Sequence, residues 1–185
     1  MSENLKFYKT FIDHCKAIDL CIERNYLLPS LCLIYGGIDA AAWVAYGDIP
    51  VKQRFMRFVS EFMYKEKLLD PQPIDLYAAR CAILHTMTPN SQLSESSKAV
   101  PISYAWGTAS LEELKKATDT VMPGKISYLH LNDLSESFKL GLALFSELNE
   151  DTEECKARMK NYFSHLSKEI VTDFNKKYEQ LSINK

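Results

Sequence analysis

The stretch LLPSLCLIYGGIDAAAWVAY, Leu27 to Tyr46, decides the fold class. It is the longest apolar run in the chain and is long enough, as a helix, to cross a bilayer. Pro29, two glycines and Asp39 interrupt it, and it lacks the flanking basic residues of an anchor and the small-residue cleavage site of an export signal. Pro29 suits the first turn of a helix, and Leu31, Ile34, Ile38, Ala41 and Ala42 carry a helical period on to Tyr46. The run therefore reads as a helix buried in a protein core. Gly47-Asp48-Ile49-Pro50 closes it.

Helical periodicity extends to both sides. Upstream, Phe7, Phe11, Cys15, Ile18 and Ile22 share one face of a helix over residues 5–24, with Asn25 as the break. Downstream, Val51 to Lys67 reads as one helix with Phe55, Phe58, Val59, Phe62 and Met63 on its apolar side. Asp70-Pro71-Gln72-Pro73 is a turn, and Ile74 to Met87 form a further helix. That helix must end near Thr88, because the residue before Pro89 is pushed out of the helical region.

The pattern then changes. Residues 89–99 are rich in Ser, Asn, Gln and Lys; Ile102, Tyr104 and Trp106 alternate, and so do Ile126, Tyr128 and His130, with a short helix from Ser110 to about Thr120 between them. Two short strands are expected there. The helical period returns from Asn132 through Leu134, Phe138, Leu142, Phe145 and Leu148. A last helix from about Thr152 carries Met159, Phe163, Leu166, Ile170 and Phe174. The expected architecture is mainly α: one domain over 1–185, with core helices over about 5–88, a strand-containing insertion with a small two-stranded β element over about 98–131, and C-terminal helices over about 132–180.

Composition narrows the function. A chain of 185 residues that is 46% apolar supports one substantial core. The net charge of −2 argues against nonspecific coating of nucleic acid, which relies on many lysines and arginines. Cys15, Cys21, Cys32, Cys81 and Cys155 are odd in number and form no Cys-x-x-Cys pair, so reduced thiols are expected. The polar start and the absence of a lipidation signal point to a cytoplasmic protein with no membrane association. Glycine-rich phosphate loops, nucleophile elbows and zinc spacings are missing, so no metal site and no cofactor are expected. His14, His130 and His165 match no ligand spacing and read as packing or surface residues.

One stretch suggests chemistry: Asp75-Leu-Tyr-Ala-Ala-Arg80-Cys81-Ala-Ile-Leu-His85-Thr86. Arg80 falls on the stripe of Leu76, Ile83 and Met87, where a guanidinium must be paired or face an interface. Asp39, the acidic residue of the apolar run, is the expected partner in a bidentate ion pair. Five residues apart, Arg80 and His85 point about 140° away from each other on a helix, so a joint site requires a distorted helix end or a second subunit. A histidine in the last helical turn is also favoured by the carbonyl end alone. Tyr104, Trp106 and Tyr128 fit the packed side of a small sheet better than base stacking. Thr88, Asn90 and Ser91 fit a turn beside Pro89 better than a cleft lining.

The run from Arg80 to His85, on a helix of an all-helical core, resembles the Arg-x(4 to 6)-His motif of the HEPN superfamily, and its surroundings resemble those of bacterial proteins of this type. The resemblance covers about residues 5–90. Many active members carry a polar residue, commonly asparagine, directly after the arginine, where this chain has Cys81. The resemblance implies an antiparallel helical bundle and a metal-independent endoribonuclease, working as a homodimer that joins the two motifs across its axis. His85 would move the proton at the 2′-hydroxyl or at the leaving oxygen, and Arg80 would stabilise charge on the phosphate. Asp39 would orient Arg80, with Cys81 and Thr88 beside the pair. The third helix, at +3 from Lys52, Arg54, Arg57, Lys65 and Lys67 against Glu61 and Glu66, would hold RNA through Arg54 and Arg57, with Lys98 and Ser91.

A toxin or phage-defence role follows as an expectation, with an antitoxin or regulatory protein as partner. The alternative is a HEPN-like domain that binds nucleotide, RNA or protein without cutting. The enzyme requires an accessible Arg80 and His85 in a cleft, whereas the binding module tolerates a buried Arg80 and a surface His85.

Overall fold

The computed structural model describes residues 3–88, 93, 96–121, 126–149 and 152–161. These residues are mainly helical, with one small parallel sheet. In chain order they form α1 (Glu3–Glu23), α2 (Leu27–Tyr46), α3 (Val51–Phe58), a π-helical segment (Val59–Met63), α4 (Tyr64–Glu66), α5 (Pro73–Thr86), β1 (Ile102–Ala105), α6 (Leu111–Val121), β2 (Ser127–His130), α7 (Leu131–Asn149) and α8 (Glu153–Asn161). The expected helical residues after Asn161, among them Phe163, Leu166, Ile170 and Phe174, lie outside the described residues, as does His165.

The apolar run is the hub. Among the described residues α2 is the one helix long and apolar enough to cross a membrane, but Ile34, Tyr35, Ile38, Ala41 and Ala42 are fully buried within the protein. Helices α1, α3, α5, α7 and α8 all pack against it. Asn25 sets the entry to α2: it takes a left-handed backbone (φ 57°), and the Asn25 and Tyr26 amides bond back to the Ile22 and Cys21 carbonyls. That closes the end of α1 as a Schellman turn, with asparagine in the position glycine most often fills. At the other end of α2, Arg158 of α8 donates through Nε to the Val44 carbonyl (2.6 Å) and through Nη2 to the Ala45 carbonyl (3.1 Å). Helix-end carbonyls have no partner within their own helix, so an arginine from elsewhere serves them.

The expected single helix over Val51 to Lys67 is interrupted. Five residues, Val59–Met63, take a π-helical turn, and the helix stops at Glu66. The reason lies on α7. Ser137, fully buried, donates its hydroxyl to the Lys67 carbonyl at 3.1 Å. One turn further on, a Cβ built on Gly141 would come within 2.7 Å of Met63 Cγ and 3.0 Å of its backbone. A π turn widens the helix locally, and the small residues of α7 are what let its backbone lie against the widened part. Gly141→Ala is accordingly expected to destabilise by about 1–3 kcal/mol through overpacking, although alanine is the better helix former. Urea unfolding of the purified variant reads this directly, and a neutral or stabilising result would remove the close-approach explanation.

The strands form where alternation predicts them, although Trp106 falls just after β1 and stays exposed. They pair in parallel, Ile102 opposite Ser127 and Tyr104 opposite Leu129. Helix α6 carries the chain back between them, the connection that parallel neighbours require. Two side chains tie this unit to the helices. Tyr104 shares a 2.6 Å hydroxyl–hydroxyl bond with the fully buried Tyr35 of α2. Asp75, also buried, accepts from the Gln72 amide at the start of α5 (2.9 Å) and from the Val100 amide just before β1 (2.6 Å). One carboxylate therefore caps a helix and fixes the approach to the sheet.

Candidate functional site

The end of α5 assembles the motif. Leu76, Ala78, Ala82 and Ile83 turn into the core, which leaves Arg80 half-buried at the contact with α2. There Asp39 meets it. Arg80 Nε donates to Asp39 Oδ2 at 2.7 Å, and Nη2 closes onto the same oxygen. The expected ion pair is thus formed with both bonds converging on one carboxylate oxygen instead of two parallel bonds. Asp39 Oδ1 is buried without a hydrogen-bond partner. The pair is well covered, with 13% of the arginine side chain and 18% of the aspartate exposed. Burial alone would lower the Arg80 pKa, but the Asp39 hydrogen bond and charge outweigh it and hold the guanidinium more firmly protonated than usual.

The third edge of the guanidinium corrects the angular argument. Arg80 Nη1 lies 2.9 Å from Nε2 of His85 in the same chain. The 140° separation holds for the Cα–Cβ directions, but both side chains are long and the helix ends one residue after His85. Arg80, held from α2 by Asp39, meets the exposed ring of His85. Joining the two requires no second subunit. The helix closes at Thr86, one residue short of the expected Met87, because Met87 takes a left-handed backbone (φ 53°). His85 therefore sits in the last turn, beside free carbonyls.

Cys81 also belongs to the group. Its sulfur lies 3.9 Å from Arg80 Nη1, and Tyr77 stands one turn earlier on the same helix. Burial first, and then the neighbouring Cys81, push the Tyr77 phenol above its ordinary range. Tyr77 was not singled out in the sequence; its spacing of four residues from Cys81 is the signal that would have found it. Thr88, exposed just past the helix, bonds at 2.7 Å to the Thr86 hydroxyl, which itself donates to the Ala82 carbonyl.

The expected RNA-holding residues stand apart from this group. Arg57 pairs with Glu61 (3.1 Å) and lies over the Tyr46 ring, 4.2 Å from its centre. Arg54 donates to the Ile49 carbonyl at 3.2 Å. Lys67, part of the +3 count, is held by Asp133 and Glu136 of α7. Lys98 is exposed, and Asn90 and Ser91 lie outside the described residues. None of Arg54, Arg57 and Lys98 bonds to Arg80 or His85 among the described residues. His14 is a packing residue, its Nε2 2.8 Å from the Leu33 carbonyl.

The assembled unit is an anchored cation with an imidazole on its outer edge: a group suited to oxyanions beside a group that can accept or give a proton. Compared with protein-family models, with curated proteins and with solved structures, the chain matches none.

Proposed function

We propose that the chain is a metal-independent endoribonuclease of HEPN type, a cytoplasmic homodimer serving as a toxin or phage-defence component under the control of an antitoxin or regulatory protein. The observation that carries this reading is the 2.9 Å contact between Arg80 and His85, with Asp39 fixing the arginine from behind. The Arg-x4-His likeness supports it, as do helices gathered around α2 in a way compatible with a HEPN-like antiparallel bundle.

The reaction asks little of the protein beyond these groups. The RNA 2′-oxygen forms a bond to the adjacent phosphorus, and its proton passes to the imidazole. The bond from phosphorus to the 5′-oxygen breaks, and that oxygen takes a proton from water or from the imidazole of the second protomer. Arg80 offsets the charge that grows on the non-bridging oxygens. Lys98 is exposed for backbone contact. The surface pair of Arg57 with Glu61 costs little to exchange for a phosphate.

The test is incubation of purified protein with a mixed pool of structured and single-stranded RNAs, with and without EDTA. Cleavage that resists EDTA and falls by about 10²–10⁴-fold in His85→Ala and in Arg80→Ala is the expected result. A second reading is favoured by the cover over the ion pair, since an arginine side chain only 13% exposed suits structural glue. In that case the domain binds nucleotide, RNA or a protein partner without cutting. Wild-type protein that is folded and cleaves nothing would establish that reading over the first.

A further inference from the structure

A guanidinium carries five N–H donors and no acceptor. His85 Nε2, 2.9 Å from Arg80 Nη1, must therefore be the accepting nitrogen of a neutral ring, and the ring's single proton sits on Nδ1. This is the tautomer an unrestrained imidazole disfavours in water. It has a chemical consequence. In this arrangement the lone pair that a general base needs is occupied by Arg80, and the ring shows solvent only a donor.

The same guanidinium is not free to move away as a whole, because Nε and Nη2 are both committed to Asp39 Oδ2. Nη1 is the edge left over. Beyond His85, the hydrogen-bonding neighbour of Nη1 among the described residues is the Cys81 sulfur, at a long 3.9 Å. His85 is exposed, so the solvent side of Nη1 is the side that the imidazole occupies. A phosphate oxygen makes a charge-assisted bond to a guanidinium about twice as strong as a neutral acceptor does.

We propose that Arg80 is a latch on His85: it holds the imidazole as the Nδ1–H tautomer with Nε2 blocked, and a phosphate-ester oxyanion taken up by Nη1 displaces the ring and frees Nε2. The purpose of the release rests on the ribonuclease reading, since it arms the base only when a phosphate is in place. The contact and its displacement do not rest on it. Arg80 acts on His85 as a positioning residue in the resting protein and meets the phosphate afterwards.

The experiment is long-range proton–nitrogen correlation NMR of imidazole-labelled full-length protein at about pH 8, where an ordinary imidazole is neutral. His85 is expected in the Nδ1–H form. His14 is the internal reference: its Nε2 faces the Leu33 carbonyl and must carry the proton, so its pattern reports that the fold is intact. Titration with inorganic phosphate, against chloride at matched ionic strength, is expected to make Nδ1–H the minor form of His85 in a saturable way. In Arg80→Ala, His85 is expected as Nε2–H throughout, with no phosphate response.

Wild-type His85 already in the Nε2–H form overturns the latch. So does an Nδ1–H form that saturating phosphate leaves unchanged, a result that needs no variant to fold. A tautomer and phosphate response as expected, in a protein that cleaves no RNA, keeps the latch as an anion-responsive site and removes the ribonuclease. Cleavage with His85 in the Nε2–H form does the reverse.

Discussion

Asp39→Ala is expected to lower the unfolding free energy by about 3 kcal/mol, the low end of what breaking a buried ion pair costs. The loss comes less from the missing attraction than from what remains. Arg80, with 13% of its side chain exposed, would keep its charge at the α2–α5 contact with no carboxylate beside it. That residual exposure is why the low end applies. Removing both charges should be milder than removing one, so Asp39→Ala combined with Arg80→Met should regain a large part of the loss. Urea unfolding of wild type, both single variants and the double variant measures the cycle. A change within about 0.5 kcal/mol for Asp39→Ala, the range of ordinary surface substitutions, would mean the pair is solvated and holds nothing together.

The second large effect is a loss of stability in alkali. Burial raises the pKa of the Tyr35 phenol well above its ordinary range, with the charge and hydrogen bond of Tyr104 adding to it. Tyr104 is raised too, chiefly by burial. Both groups keep their protons in the folded state when the unfolded chain has begun to lose them. Their contribution is therefore fully present below the unfolded phenol value of about 10 and falls as pH climbs from there toward the folded values. Between about pH 10 and 12 the slope can approach about 1.4 kcal/mol per pH unit for each phenol that keeps its proton. Total stabilities of domains this size are about 5–15 kcal/mol, so alkaline unfolding in that interval is expected. Urea midpoints taken across it provide the measurement, and Tyr104→Phe should shallow the fall. A flat profile to about pH 12 would show that the shared hydroxyl bond opens to water before the chain unfolds.

The features that could be read from the residues share a property: each depends on neighbours within a few turns or on a rare residue type. The core face of α2 follows from the spacing of Leu31, Ile34 and Ile38, and all three are buried. The pairing of Asp39 with Arg80 was legible because each is an isolated charge on an apolar helix face, and such charges must answer each other. The meeting of Arg80 with His85 was not legible, since it depends on side-chain torsions and on the helix stopping at Thr86. The π-helical turn was hidden for a different reason. Its cause, Ser137 and Gly141, lies more than seventy residues along the chain, and no local pattern in Val59–Met63 announces it. Asp75 likewise reads as an ordinary helix-start carboxylate until its second oxygen is seen on Val100. The charges of the third helix were counted correctly as a sum. Their partners, Glu61 on the same face and Asp133 and Glu136 on a distant helix, decide how much of that sum is free to meet a ligand.

The arginine at the end of α2 sets a schedule for synthesis. A chain leaves the ribosome from its N-terminus, and domains close as their parts emerge. Here the helix made early, Leu27–Tyr46, has its last carbonyls served by Arg158, and Cys155 and Met159 of the same late helix fill part of the core around it. None of these can arrive until nearly all of the described chain is outside the tunnel. Through most of translation the most apolar helix of the protein is therefore present without its lid. That interval is when binding by a chaperone would matter most, and a ribosome stalled before codon 155 would hold out a hydrophobic helix packed by the earlier helices but with its C-terminal carbonyls and the α8 side of its core still uncovered.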